Sequence, residues 1–184
     1  MKQSKLMTVL KEILSTTLYI LVAIIVVYFL TEYIIQKTQV IGASMENTIH
    51  ENDNIMVDKL SYRFSEPERF DIVVFPYHLD ESVYYIKRII GLPNEKVLID
   101  EEGKIFINGE LLVEDYGKEV IYEAGVAAEE ILLGTDEYFV LGDNRNNSTD
   151  SRDARVGFIK KDELIGRAWL RIWPIEDFGV LRHQ

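Results

Sequence analysis

Apolar and polar positions divide this chain into two unlike parts. From Ile13 to Thr31 no charged residue occurs, a run of about 19 residues that as a helix reaches roughly 28 Å, enough for one bilayer crossing. Lys11-Glu12 and Glu32 bound it. A buried core helix and the apolar stretch of a cleaved leader compete with this reading. The run is long for a leader and ends in Glu32-Tyr33-Ile34-Ile35 rather than at a small-residue cleavage site. The expectation is therefore a retained anchor over residues 13–35. Beyond it the pattern turns extended. Asp71 to Phe75, Tyr84 to Ile90, Val97 to Ile99, Lys104 to Ile107, Leu111 to Val113, Tyr138 to Leu141 and Ala168 to Trp173 read as short strands. Turn residues punctuate them, with Glu101-Glu102-Gly103 closing a hairpin and Asn108-Gly109 making a further turn. Asn54 to Leu60 mixes apolar and charged positions, and Lys160 to Ile165 is a candidate short helix. Many short strands with little helical periodicity indicate a mainly β fold behind one N-terminal transmembrane helix.

Charge adds an orientation. Lys2, Lys5 and Lys11 precede the span and only Lys37 follows closely, which predicts a cytoplasmic stretch of residues 1–12 and an extracytoplasmic domain over 36–184. A formal net charge of −11 argues against a nucleic-acid partner, because binding phosphates needs a basic face. The absence of cysteine excludes thiol nucleophiles, thiolate zinc sites and disulfides, and with them a sortase-type transpeptidase. His50, His78 and His183 show no metal-ligand spacing, so neither a metal nor another cofactor is expected.

Three segments carry candidate chemistry. Ser44 lies in Gly42-Ala43-Ser44-Met45, where small residues leave the Ser44 amide free to donate to an oxyanion. A Gly-Ala-Ser by itself is far more often an ordinary turn than a nucleophile. Lys87 lies in Tyr85-Ile86-Lys87-Arg88, where strand alternation sets Lys87 with Tyr85 and Ile89, and Arg88 with Ile86 and Ile90. One basic residue must then share a packed face. Either its stem lies along apolar surface with its head in water, or burial lowers its pKa and makes it a base for a serine. The third segment, Gly142 to Arg152, is dense in Asn, Asp and Ser, whose side chains bond locally to backbone. Its interleaved arginines and aspartates suggest ion pairs bracing a loop that follows the apolar Tyr138 to Leu141.

Ser44-Met45, Asp71 to Phe75, Tyr85 to Pro93, and Gly142-Asp143-Asn144-Arg145 through Ser148 to Asp150-Ser151-Arg152 resemble the ordered motifs of bacterial type I signal peptidases. The resemblance implies antiparallel β-sheets forming a catalytic domain, with residues 97–133 as a smaller, variable lobe. It implies Ser44 as nucleophile, Lys87 as general base, and Ser148 as the hydroxyl that orients the lysine. Asp143, Arg145, Asp150 and Arg152 match supporting residues, and Met45 and Tyr85 match the pocket for small substrate side chains. The Ser44 amide would be one oxyanion donor; where some relatives carry a serine hydroxyl as the second, this chain has Gly42. The family usually carries proline at the position of Asn47, and Asn47 is expected to make a comparable turn through its side chain. Gly91-Leu92-Pro93-Asn94-Glu95 departs from the usual Gly-Asp after proline, a turn variation.

The activity implied is a serine endopeptidase that removes N-terminal signal peptides from preproteins with small residues at the cleavage site, at the surface of a lipid bilayer. A catalytically impaired relative that assists assembly of surface fibres such as pili is the alternative. A self-cleaving repressor of the Ser-Lys type would lack the anchor.

Overall fold

The structure is a computed structural model that describes residues 2–181; His183 lies outside them. The apolar run belongs to one long helix, α1 (Lys2–Tyr33). Its stretch Met7–Tyr33 has the length and composition to cross a membrane, and none of it is covered by the rest of the chain. An apolar helix left bare in this way is matched to lipid rather than water, and the chain reads as a single-pass membrane protein. The helix passes into the sheet without a linker. Ile34 N–H donates to Leu30 O (3.0 Å), and the next residue, Ile35, placed by sequence at the end of the anchor, opens a strand. Lys59 clamps the junction, its amide on Ile34 O (2.9 Å) and its Nζ on Glu32 O (2.7 Å).

The strands are β1 (Ile35–Gln39), β2 (Asn54–Asp58), β3 (Ile72–Tyr77), β4 (Asp80–Gly91), β5 (Lys96–Ile99), β6 (Ile105–Ile107), β7 (Glu110–Leu111), β8 (Ile131–Leu132), β9 (Glu137–Leu141), β10 (Ile159–Lys160), β11 (Gly166–Trp173) and β12 (Gly179–Val180). The larger sheet runs β1-β2-β11-β3-β4-β9-β10, with β12 beside β11, and the smaller runs β7-β6-β5-β8. The pairings within both sheets are antiparallel. The mainly β fold read from the pattern is the fold observed. The helix expected over Lys160 to Ile165 is a single 3₁₀ turn, Lys161–Glu163. So short a segment gains too few bonds to repay helix nucleation, and Ile159 is drawn into the ladder opposite Tyr138.

Centrality explains the unbroken apolar run of β3. It lies between β11 and β4 with both faces covered, so Ile72 and Val74 enter one core cluster while Val73 and Phe75 enter another. β4 extends this alternation: Ile86 joins the first cluster and Ile89 the second. Ile90 joins a third, shared with Val97, Ile99, Ile105 and Ile107 of the small sheet. The length of β4 positions the site. Its second half pairs with β9 from Arg88 onward, whereas Tyr84 to Lys87 pair with β3 alone. Among the described residues, the opposite edge of that first half carries no strand.

Candidate active site

The chain leaving β1 turns sharply before β2. Glu46 N–H donates to Ala43 O (3.1 Å), and Thr48 and Ile49 amides donate to Met45 O (3.1 and 2.9 Å). Met45 and Ile49 are buried in the core, which holds the turn from below and leaves Ser44 half-buried above them. The Ser44 N–H donates to no acceptor among the described residues.

Lys87 reaches this turn from β4. Its Nζ lies 2.8 Å from Ser44 Oγ and 3.0 Å from its second partner, Ile86 O. The Tyr85 ring centroid is 4.9 Å from the same nitrogen, and Lys87 is only 3% exposed. Burial pushes its pKa from the ordinary 10.5 down to about 8, against the opposing pull of the Asp150 and Asp143 carboxylates. An amine so placed is neutral in about a tenth of molecules at pH 7, far more than an exposed lysine, and in that form can accept a hydroxyl proton. Beside the pair lies a cleft of about 570 Å³. Thr38 to Met45 line it on one side and Ser82 to Lys87 on the other, with Asn147 and Thr149 also contributing.

Sequence comparison decides the class of this site. Residues 13–173 match the family described as "Signal peptidase, peptidase S26". The chain belongs to that family. It is 38% identical over 165 residues to a "Probable signal peptidase I-2" of Synechocystis sp., covering 86% of this chain and 72% of the relative. It is 36% identical over 159 residues to a "Signal peptidase I" of Leptolyngbya laminosa, covering 81% and 74%. A "Signal peptidase IB" of Staphylococcus aureus is 30% identical over 183 residues, covering 91% and 93%. Membership makes the chain a hydrolase of the serine endopeptidase class.

In this peptidase the third segment supports the site from below. Gly142 lies so close under Ser44 that a Cβ there would meet Ser44 O at 2.5 Å and Ser148 Oγ closer still. Asp150 accepts from Gly142 N–H (3.1 Å) and grips Arg152 through both oxygens (2.8 and 2.9 Å). Arg152 in turn donates to the carbonyl oxygens of Arg145 and of Glu123 (3.2 Å to the latter). Arg145, 3% exposed, pairs with Glu114 at 2.8 Å. Asp143 is fully buried and takes two bonds from Arg88, Nε to Oδ1 (2.8 Å) and Nη2 to Oδ2 (2.7 Å). The structure therefore brings Ser44, Lys87, Asp143, Asp150, Arg145 and Arg152 into one connected region. Met45 and Tyr85 both line the cleft. Ser148 is nearby, but its Oγ is shielded and makes no hydrogen bond among the described residues; Ile86 O is the lysine's second partner instead.

One detail departs from the sequence reading. Asn47 has φ +102°, a conformation closed to proline, so its turn is not the comparable one expected. Asn tolerates positive φ, and its Nδ2 donates to Tyr116 O at 3.2 Å. Gly42 has φ +91° and open space where a side chain would begin, so the backbone there bends in a way that disfavours serine.

Three contributors escaped the sequence. Arg88 is the buried partner of Asp143, so both basic residues of β4 are packed rather than one. Thr48 donates to Asp143 Oδ2 at 2.5 Å. Asn144 holds the nucleophile turn twice, its amide on Ser44 O and its Nδ2 on Ala43 O, both at 3.0 Å. An asparagine in a motif dense in them gave no sign of which one would face Ser44.

Proposed function

We propose that Ser44 and Lys87 form the catalytic dyad of a peptidase that cleaves signal peptides from exported preproteins. The observation that carries this reading is the 2.8 Å contact between Ser44 Oγ and an amine whose pKa burial brings to about 8. Neutral Lys87 accepts the Ser44 proton as Oγ bonds to the scissile carbonyl carbon. Negative charge then gathers on the carbonyl oxygen, toward the free Ser44 N–H. The lysine returns its proton to the leaving amine as the C–N bond breaks. Lys87 then takes a proton from water as the water oxygen bonds to the ester carbonyl carbon, and returns it to Ser44 Oγ as the C–Oγ bond breaks. Ser148, with its unpaired Oγ beside Gly142, is assigned to orient the lysine, and Asp143, Arg145, Asp150 and Arg152 to hold the loop beneath.

The substrate is read from the cleft. The unpaired edge of β4 suits an extended peptide, which can donate and accept along a strand edge. Walls at Met45, Tyr85 and Ile86 favour small side chains next to the scissile bond. Residues 13–33 are assigned as the anchor, since Ile35 opens β1, with residues 1–12 as cytoplasmic and 34–184 as the extracytoplasmic catalytic domain, 97–133 being its variable lobe. This orientation follows the lysines before the span. Confinement of enzyme and preprotein to one surface raises their effective concentration. The contact between Ser44 and Lys87 favours this reading over a fibre-assembly factor without catalysis.

The test is cleavage of a preprotein with an A-x-A-like site by the full chain in detergent. Ser44→Ala and Lys87→Arg are both expected to abolish cleavage while retaining the β-sheet circular dichroism of the parent, since a guanidinium stays charged. Sustained cleavage by either folded variant would refute the dyad.

A further inference from the structure

Between β7 and the 3₁₀ turn Gly125–Ala128 the chain runs from Leu112 to Ala124 without regular structure. Such a stretch ordinarily moves freely. Here it is tied to both halves of the site. On the nucleophile side, Asn47 Nδ2 donates to Tyr116 O (3.2 Å) and Lys118 Nζ meets Glu46 Oε2 (3.1 Å). On the supporting side, Lys118 N–H donates to Asp143 O (2.9 Å), and Glu114 pairs with buried Arg145. Asn146 clasps the same segment, donating to Val120 O (2.8 Å) and accepting from Tyr122 N–H (3.0 Å). Tyr116 lies at the crossing. Its ring centroid is 3.7 Å from Arg88 Cζ and 5.1 Å from the Phe70 ring, and Arg88 is the residue that grips both Asp143 and Thr48.

We propose that residues 114–123 are a brace that sets the spacing between the nucleophile turn and the loop beneath it, with Asn47 as a positioning residue for Ser44. The proposal rests on the dyad reading and adds how this chain holds the dyad in place. It accounts for the backbone turn and the side-chain bond at position 47 together. A proline there would lose both the φ of +102° and the side-chain donor, whereas asparagine supplies a turn that reaches the brace. Tyr116 works from the other side, covering the Arg88 guanidinium that holds Asp143 and Thr48 together.

The experiment compares kcat, KM and pH profiles of the full chain in detergent on a preprotein with an A-x-A-like site. Asn47→Gly keeps the positive φ and removes only the donor. It is expected to lower kcat about tenfold with KM little changed, the mark of a misplaced catalytic group. Tyr116→Leu is expected to lower kcat in the same way, with the acid limb of the profile unmoved, since Arg88 and Lys87 lie on opposite faces of β4. Tyr116→Phe, which keeps the ring, restores kcat. Val113→Ser, exposed and outside the brace, matches the parent. Parental kcat in Asn47→Gly, or in folded Tyr116→Leu, would overturn the brace. Cleavage by Ser44→Ala would instead defeat the dyad reading on which it rests.

Discussion

Replacing Lys87 with methionine should make this peptidase more stable while removing its activity. Methionine matches the lysine stem in length and suits the apolar surroundings, but carries no charge. The gap between the unfolded value of 10.5 and the folded value of about 8 corresponds to about 3 kcal/mol of unfavourable charge burial. Below about pH 8 the lysine is protonated in both states and this cost is fully present. Between about 8 and 10.5 the unfolded chain holds a proton that the folded chain has lost, so the stability of the parent rises with pH across that window. The variant has no such dependence. Its margin over the parent should be about 3 kcal/mol near pH 7, shrink through the window, and vanish by about 10.5. Denaturant unfolding of the full chain in detergent, followed by the fluorescence of Trp169 and Trp173, measures it. A margin identical at pH 7 and pH 10, or a variant less stable than the parent at pH 7, would refute the reasoning.

Other perturbations read different parts of the site. The rate of preprotein cleavage should rise with pH through a midpoint near 8 to a plateau above about 9, because only the neutral Lys87 amine accepts the Ser44 proton; a flat profile from pH 6 to 9 would contradict the assignment. Asp143→Asn leaves the fully buried Arg88 without its counter-charge and should cost about 3–5 kcal/mol in denaturant unfolding. Gly142→Ala drives a methyl group against Ser44 O and Ser148 Oγ, and should lower kcat by about a hundredfold through misplacement of Ser44. Wild-type kcat in that variant would show that the loop can retreat without moving the nucleophile.

The sequence was most legible where packing alone dictates structure. The apolar stretch within α1 announces itself by its length and composition, and the apolar runs of β3 and β9 because they are covered by core on both faces. β1 does not, since Gln36, Lys37, Thr38 and Gln39 form a polar edge strand held by backbone bonds to β2. Burial of Arg88 was hidden because its counter-charge, Asp143, lies 55 residues away. Asn47 was misjudged for a similar reason: the choice of positive φ depends on Tyr116, which is 69 residues distant. Ser44, Lys87 and the Gly142 to Arg152 loop stood out through their motif, yet their distances came only from folding. Ser148 shows the difference, being close to Ser44 O across Gly142 without a hydrogen bond of its own.

The direct passage of α1 into β1 gives the peptidase a fixed depth gauge. Ile34 and Lys59 leave no slack at the junction, and the continuation of β1 becomes a wall of the cleft. A domain on a loose tether would sample many heights above the bilayer and could reach cleavage sites at many distances from it. On the proposed dyad reading, Ser44 is tied to the end of the helix by this junction and by β1. A preprotein would then be selected by how far its scissile bond stands from the membrane as well as by the residues that flank it.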